Sequence, residues 1–524
     1  MTHVELVKAR ARIKPYDHQL LGVERLCTMP FFFLADEMGA GKTKQVIDAL
    51  LALYVADKID RVIVLAPAAV RSVWFDQELG ELAKHLWMDV ACAVTLYHAK
   101  AKTWFWLAAG ATEAPSKKLE WIISNYEFIR PVDRLKPLLA LCNARTALVL
   151  DESSAVKSHR AKQTKACRAL RAKCGRVILL NGTPIANSPG DMYSQGELMH
   201  PGVLACRTFI HFRARYAIMG GYKAKQIVGW TNLEDLQRRF APFVLRRLKV
   251  DCLDLPEKLP SVALTVPLST ETWTLYKEMR DEMVVWLNQA SMSMASQAIV
   301  KAIRLAQLTS GFIGGVREQA MPADRPEWLP FAQEPEHLRT REESVEGAPE
   351  LRDVSREKLD LFLAWFDLML EEDPDLKLLV WCRFRPEVER VVRELKARNV
   401  LTGVLYGGQK AADRDEALRM LDPRTAPRSR AVVVGTPSTG SMGLNLTAAH
   451  TVVYMSNDFS LKTRLQSEDR VHRPGQVNRV SYFDVIATGP NGQRTIDHVI
   501  MKALQSKHDI ATWTMSAWIR ALSE

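Results

Sequence analysis

Short β-branched runs that alternate with longer helical segments constrain the fold of this chain more than any other feature. Between residues 61 and 185 the order is RVIVLAP, VRSVWFDQELGELAKHL, LEWIISNYEF, ALVLDES and RVILLNGTP, and a second series begins with KLLVWCRF at residue 377. Buried strands that alternate with helices form parallel sheets covered on both faces, with functional loops at the carboxyl ends of the strands. The pattern predicts an α/β fold with two tandem parallel-sheet lobes.

The segments around the two series differ from them in composition and in residue pattern. Within the 524 residues we assign 1–195 to the first lobe, 196–313 to a mostly helical insertion, 314–357 to a linker and 358–524 to the second lobe. The linker is rich in Pro, Gly and Glu and holds more acidic than basic residues. That composition is typical of a mobile segment or a surface loop.

The sequence LADEMGAGKT at residues 34–43 predicts a phosphate-binding loop. Gly39 and Gly41 let the backbone approach phosphate oxygens at the positive end of the helix that follows. Lys42 would reach the terminal phosphates, and the Thr43 hydroxyl would ligate magnesium. The usual spacing of such loops places a further glycine at position 36, where this chain has Asp36.

A pair of carboxylates follows the apolar strand in ALVLDES. Asp151 is predicted to hold Mg²⁺, directly or through water, and Glu152 to orient and deprotonate an attacking water. Two carboxylates at a strand end are a weak signal alone. Behind a phosphate loop on the same inferred sheet, they indicate nucleotide hydrolysis.

The run DEMGAGKT resembles the corresponding motif of superfamily 2 helicase-like ATPases of the Swi/Snf type, and further motifs of that family follow in order. In the first half these are KPYDHQLLGVERL, LAPAAVRSVW, ISNYEFI, DESSAVKS and NGTPIANSPGDMYS; in the second, VLRRLKVDCLDLPEKL, LLVWCRFRPEVE, STGSMGLNLTAAHTVVYMS and QSEDRVHRPGQ. The resemblance extends from Lys14 to Leu504 and implies RecA-like lobes in a helicase core. The chain departs from the family at Ser153 and Ser154, where many relatives carry alanine or glycine and then histidine.

The same resemblance implies ATP and Mg²⁺ as cofactors. Gln19 would read the adenine base. The residues that the resemblance implies for nucleotide binding are Gln19, Asp36, Glu37, Met38, Gly39, Ala40, Gly41, Lys42, Thr43 and Gly443.

Two arginines in RLQSEDRVHRPGQ complete the predicted chemistry. Arg470 and Arg473 are three residues apart, so on a helix they would share one face and could both reach a phosphate held by the other lobe. In the family, the matching arginines act as fingers on the γ-phosphate. We therefore predict a catalytic set of Lys42, Glu152, Arg470 and Arg473.

The net charge of +11 favours a polyanionic partner. The resemblance implies double-stranded DNA as a track, or branched DNA, with replication or recombination proteins as further candidate partners. The basic segment FIHFRARYAIMGGYKAKQ is the best candidate patch in the insertion. Sequence-independent backbone contacts are predicted from motif loops, with Arg71, Ser72, Asn125, Tyr126, Arg383, Arg385, Ser438 and Thr439 as candidates.

Other classes of protein are disfavoured by the sequence. The eight cysteines contain no C-x-x-C pair, which argues against a structural zinc site or a disulfide framework. No apolar run reaches the ~18 residues of a membrane span, and the N-terminus lacks the apolar core of a secretory signal. We expect no membrane association and a cytoplasmic location, in a bacterium or a phage-infected host.

The leading hypothesis is a DNA-stimulated ATPase that moves along duplex DNA and remodels DNA or DNA–protein structures in replication, recombination or repair. One alternative is a strand-separating helicase for DNA or RNA. Another is a scaffold that binds nucleotide and nucleic acid without hydrolysis. The full carboxylate and arginine set argues against the scaffold, because binding alone requires neither Glu152 nor two arginine fingers.

Overall fold

The computed structural model describes residues 1–68, 70–78, 80–109, 116–182, 189–220, 226–289, 295–314, 351–423, 425–439, 445–506 and 508. The chain divides into two compact units. Met1–Ile218 with Val228–Asp254 belong to the first, and Leu255 begins the main part of the second. Within the described residues, no helix is both long enough and apolar enough to cross a membrane.

The first unit contains an eight-stranded sheet with the order β10-β1-β7-β6-β2-β5-β3-β4. All neighbouring pairs are parallel except β3 and β4. A separate two-stranded sheet holds β8 and β9, and the segment Met219–Ile227, which includes part of each of these strands, is grouped with the second unit. The strands are β1 Phe31–Leu34, β2 Arg61–Ala66, β3 Cys92–Leu96, β4 Lys102–Trp106, β5 Leu119–Asn125, β6 Thr146–Leu150, β7 Arg176–Leu180, β8 Ala217–Gly220, β9 Gln226–Trp230 and β10 Val244–Leu245.

Helices connect these strands, as expected for parallel crossovers. They are α1 His3–Arg10, α2 Asp17–Thr28, α3 Lys42–Val55, α4 Arg71–Phe75, α5 Glu81–His85, α6 Val132–Leu141, α7 Lys162–Arg171, α8 Asp191–Met199, α9 Phe209–Tyr216, α10 Leu233–Phe240 and α11 Lys249–Cys252.

Side-chain alternation along the strands divides the core of the first unit into two layers. In β2, Val62 and Val64 pack into one hydrophobic cluster, while Ile63 and Leu65 pack into the other. Successive side chains of a strand point to opposite faces of its sheet, so a run that is apolar throughout requires cover on both faces. The β-branched run RVIVLA therefore lies in the middle of a three-layer unit.

The second unit repeats this construction with a six-stranded, fully parallel sheet of order β11-β18-β17-β14-β16-β15. The six strands are β11 Val262–Pro267, β14 Lys377–Trp381, β15 Thr402–Leu405, β16 Ala431–Gly435, β17 Thr451–Tyr454 and β18 Ser481–Thr488, and a separate antiparallel pair is formed by β12 Phe312–Ile313 and β13 Arg352–Asp353. Its helices are α12 Thr270–Gln289, α13 Ala295–Thr309, α14 Glu357–Glu372, α15 Arg385–Ala397, α16 Ala411–Leu421 and α17 Leu461–Glu468.

These sheets confirm the predicted α/β fold with two tandem parallel-sheet lobes. The structure adds one feature that the sequence did not indicate. Strand β10, from within 196–313, extends the first sheet beside β1, and β11 from the same segment extends the second beside β18. Most of the predicted linker, residues 315–350, lies outside the described residues, so its predicted mobility stays a prediction.

Candidate functional site

The phosphate loop connects the end of β1 to the start of α3. Gly39 and Gly41 both adopt positive φ values, 80° and 76°, which an L side chain reaches only with strain. A Cβ atom added at Gly41 would lie 2.2 Å from Nε2 of Gln19. Both the backbone conformation and the space at position 41 therefore require glycine.

Lys42 is the first residue of α3, and its side chain folds back over the loop. Its Nζ donates to the backbone oxygens of Asp36, at 2.7 Å, and Glu37, at 3.1 Å. The N-cap residue of α3, Gly41, has no side chain with which to cap the helix. An uncapped helix start with an ammonium group beside it is an arrangement that attracts phosphate.

Two side chains of α2 close the other side of the loop. Nε2 of His18 lies 3.0 Å from the Ala40 oxygen, and Nε2 of Gln19 donates to the same oxygen at 3.5 Å. Oε1 of Gln19 also accepts from the Tyr16 backbone N–H at 3.1 Å. Gln19 thus contacts the phosphate loop, while its predicted contact with adenine stays a prediction.

Asp151 directly follows β6, and the strand order β1-β7-β6 places it at the same edge of the sheet as the phosphate loop. Its Oδ2 accepts from Nε1 of Trp74 at 2.7 Å, and its Oδ1 accepts from the Glu152 backbone N–H at 2.9 Å. Burial, followed by the charge of Glu152, raises the pKa of Asp151 from 3.8 to about 6, although Lys42 partly opposes this. A buried carboxylate with a raised pKa is suited to bind a cation that restores its charged form.

These residues fit the predicted cofactors. Mg²⁺ bound with a nucleotide usually takes only one or two protein ligands, because phosphate oxygens and water supply the rest. Thr43 provides a hydroxyl, and Asp151 provides a buried carboxylate. Among the described residues no group of three or more His, Cys, Asp or Glu side chains could hold a metal on its own.

Glu152 has a left-handed backbone, with φ 50° and ψ 52°, just before a 3-10 turn at Ser153–Val156. Non-glycine residues in this conformation are uncommon, and they occur often at functional sites. The buried Ser153 hydroxyl then donates to Oε1 of Gln195 in α8 at 2.6 Å. A hydroxyl thus connects the acidic turn to the helix that follows the predicted NGTP motif.

The structure also brings in side chains that the sequence analysis did not single out. Trp74 reaches Asp151, and Arg247 forms an ion pair with the fully buried Asp36. Neighbouring Arg246 is also buried, and burial lowers its pKa to about 10, which leaves it a cation at neutral pH. The signal available in the sequence was the pair of adjacent arginines in VLRRLK, within the predicted insertion.

The nucleic-acid candidates of the first unit differ in position. Nη1 of Arg71 donates to Oδ1 of Asn125 at 3.4 Å, and Nδ2 of Asn125 donates to Glu127 at 2.9 Å. Ser72 lies in α4. Tyr126 is fully buried, and its hydroxyl donates to the Asp151 backbone oxygen at 2.7 Å. The Tyr126 side chain is therefore engaged inside the first unit, and a role of this residue in nucleic-acid binding stays a prediction.

The candidates of the second unit lie at the carboxyl ends of β14 and β16. The Arg383 backbone N–H donates to Ser456 at 2.8 Å, while Arg385 forms an ion pair with Glu389 at 3.0 Å and stacks over a tyrosine ring. Ser438 donates to Thr436 at 3.3 Å, and Thr439 to the Leu405 oxygen at 3.1 Å. Gly443 lies outside the described residues, as do residues 221–225 of the predicted basic segment.

Helix α17 ends at Glu468, so Arg470 and Arg473 lie in the turn that follows it rather than on the predicted helix. The Arg470 backbone N–H donates to Ser467 at 3.4 Å, and its oxygen accepts from Leu446. Arg470 is buried and Arg473 is half-buried. The reasoning that a shared helix face aligns the two arginines is therefore wrong, while their role as fingers stays a prediction.

Comparisons with known proteins match most of the chain. A family profile described as the SNF2-related domain matches residues 24–310, and one described as the helicase conserved C-terminal domain matches residues 358–475. TATA-binding protein-associated factor 172 of Homo sapiens is 25% identical over 92% of this chain and 27% of its own length. The putative ATP-dependent helicase/translocase YwqA of Bacillus subtilis is 25% identical over 94% of this chain and 47% of its own length.

This chain thus spans about a quarter of the human relative and about half of the bacterial one. Among solved structures, the Sulfolobus solfataricus SWI2/SNF2 ATPase core in complex with dsDNA is 20% identical, with a TM-score of 0.40 over 98% of this chain and 96% of that chain.

Proposed function

The chain belongs to the family of ATPases defined by the SNF2-related domain, and on that premise we propose that it couples ATP hydrolysis to movement along double-stranded DNA. The observation that carries the proposal is that two motifs lie together at the carboxyl ends of parallel strands of one sheet. The phosphate loop ends β1, the acidic pair ends β6, and both strands run parallel in the same sheet.

Each residue of the site has a proposed role. The loop Gly39–Thr43 binds the phosphates, with Lys42 as the point charge. Asp151 and Thr43 hold Mg²⁺, which, when bound, neutralises phosphate charge. Glu152 takes the proton of the attacking water. Arg470 and Arg473 stabilise the charge that develops during transfer, for which planar guanidinium groups are suited.

DNA is proposed as the track because the chain carries a net charge of +11 and its basic candidates lie on motif loops. The bacterial relative is named a putative ATP-dependent helicase/translocase, which agrees with movement on nucleic acid. We propose tracking without obligatory strand separation, in the cytoplasm, on duplex or branched DNA during replication, recombination or repair.

Steady-state ATPase measurements test this function. Duplex DNA should raise the ATPase rate well beyond a few-fold, and both Lys42→Ala and Glu152→Gln should abolish turnover while DNA binding persists. A rate that no DNA changes would refute the proposed coupling. Turnover that survives both substitutions would refute the proposed active site.

A pair of displacement assays separates tracking from unwinding. A motor that tracks duplex DNA strips the third strand from a triplex and leaves the duplex intact. A strand-separating helicase instead releases a strand from a forked duplex. Release of duplex strands at the same rate as the triplex strand would favour the helicase. Nucleotide binding without any turnover would favour the scaffold.

A further inference from the structure

The segment 244–249, which we call the strap, runs beside the first half of the phosphate loop. Strand β10 pairs in parallel with β1, with Val244 opposite Phe33. The pairing continues beyond the strand, where the Ala35 backbone N–H donates to the Leu245 oxygen at 2.8 Å and that of Glu37 to the Arg247 oxygen at 2.9 Å. The backbone of the loop is therefore fixed on one side by residues far along the chain.

Side chains reinforce this pairing through the carboxylate of Asp36. Nε of Arg247 donates to Oδ1 of Asp36 at 2.9 Å, and its Nη2 donates to Oδ2. Asp36 is fully buried, and the Arg247 side chain is 13% exposed. A forked arginine–carboxylate pair fixes orientation as well as distance, and burial shields it from screening by solvent.

Gln45 carries the contact across to the far end of the loop. Its Oε1 accepts from Arg247 at 3.0 Å, and its Nε2 donates to Asp36 at 3.1 Å and to the Ala40 oxygen at 3.4 Å. A Cβ atom on Gly22 of α2 would overlap the Gln45 amide, so the absence of a side chain at Gly22 leaves the space that this amide occupies. One connected network thus joins the strap, both ends of the loop and α3.

Arg246 extends the strap to a second functional segment. Its Nη1 donates to the Ala35 oxygen and, at 2.9 Å, to the Gly182 oxygen just after β7. Gly182 belongs to the predicted NGTP motif and lies against Met38 of the loop. The strap therefore contacts the phosphate loop and the end of the neighbouring strand together.

We propose that Arg247 is a positioning residue for the nucleotide, acting through Asp36 and Gln45 to hold the phosphate loop in its binding shape. The inference rests on the proposed nucleotide role of that loop. It also explains Asp36, which replaces the glycine of an ordinary phosphate loop, since the strap needs a buried anion at that position. Arg247 comes shortly before Leu255, where the second unit begins. The strap thus lies close, along the chain, to the point where the second unit begins.

Binding of Mg·ADP, measured by calorimetry on the full chain, tests the inference without hydrolysis. Arg247→Gln should raise the Kd about 10-fold and Arg247→Lys about 3-fold, because lysine keeps the charge but loses the fork. The KM for ATP should rise by a similar factor while kcat changes less than it does in Lys42→Ala. The matched control is Arg61→Gln, since Arg61 pairs with Glu120 at 2.5 Å and binds a backbone oxygen at the opposite edge of the sheet.

Arg61→Gln should bind Mg·ADP within about twofold of the wild type, even if its thermal unfolding shifts as much as that of Arg247→Gln. If Arg247→Gln bound as tightly as the wild type, the positioning role would be overturned while the proposed function survived. If Arg247→Gln failed to fold, Arg247→Lys would decide in the same way. A wild-type chain that binds no Mg·ADP would overturn the proposed function itself and the inference with it.

Discussion

Replacing Gly41 by alanine should weaken nucleotide binding through the backbone of the phosphate loop. Gly41 has a φ of 76°, and an alanine in the left-handed region costs roughly 1–2 kcal/mol. If the free loop relaxes and regains this shape only when phosphate binds, the strain appears as lost affinity. Since 1.4 kcal/mol corresponds to a factor of ten, the expected rise in Kd is about 5- to 30-fold.

The side chain of Gln19 adds to that effect. The alanine Cβ would lie 2.2 Å from Nε2 of Gln19, well inside contact distance. Gln19 cannot move freely, because its Oε1 accepts from the Tyr16 backbone at 3.1 Å. We therefore expect the Gly41→Ala loss to lie toward the upper end of the range. Because Gln19 is itself a predicted nucleotide contact, the double variant Gln19→Ala, Gly41→Ala is compared with Gln19→Ala alone, and between these two only the backbone part of the loss should remain.

Gly202→Ala is the matched control, because Gly202 has a φ of 88° and its added Cβ would meet nothing within 4 Å. Calorimetric titration with Mg·ADP compares the variants. Gly202→Ala should lower the free energy of unfolding by roughly 1–2 kcal/mol and leave the Kd for Mg·ADP unchanged. Equal affinities for Gly41→Ala and wild type would refute the reasoning, since the loop would then bind phosphate without the left-handed residue.

Three further predictions concern the acidic turn and the proposed DNA contacts. The pKa of Asp151 is raised from 3.8 to about 6 in the folded chain. Between these two pH values the folded chain binds more protons than the unfolded chain, so the free energy of unfolding falls as pH rises. Without Mg²⁺ at pH 8, thermal unfolding should therefore show Asp151→Asn to be more stable than wild type by up to about 3 kcal/mol, and at pH 3.5 it should be no more stable. Trp74→Phe removes the 2.7 Å donor to Asp151, which should raise the pKa of that carboxyl further. The pH below which Mg·ADP binding is lost should therefore rise by about one unit, and a loss of binding at the same pH as in the wild type would contradict this. Arg71→Gln should weaken duplex binding equally for all sequences and reduce the salt slope by about one, whereas Arg145→Gln, at the amino end of β6, should leave both unchanged in a fluorescence titration.

The strands and the two site motifs could be predicted because their signals are local. An apolar run that ends in DES must place Asp151 and Glu152 at the carboxyl edge of a parallel sheet, and GAGKT must start a helix. Arg247 could not be placed in this way. Its partner Asp36 is 211 positions away, and only the pairing of β10 with β1 brings them together.

Two other differences arise where local rules are ambiguous. The orientation of Tyr126 depends on how the chain turns after β5, and a polar residue at a strand end can face inward as readily as outward. Arg470 and Arg473 follow a helical pattern that ends two residues earlier, at Glu468, and helix ends are poorly defined by periodicity. In both cases the residue type indicated a functional segment, but the direction of the side chain could not be predicted from the sequence.

The added strand β10 affects how the first unit folds while the chain is being synthesised. Without β10, the apolar strand FFFL would be the edge of the sheet, with its backbone open to pairing with other chains. Synthesis from the N-terminus produces the phosphate loop long before residue 244, so the nascent first unit carries this open edge until the insertion has emerged. A truncated fragment of residues 1–195 should therefore aggregate, while one that extends to residue 254 covers its own edge and should stay monomeric.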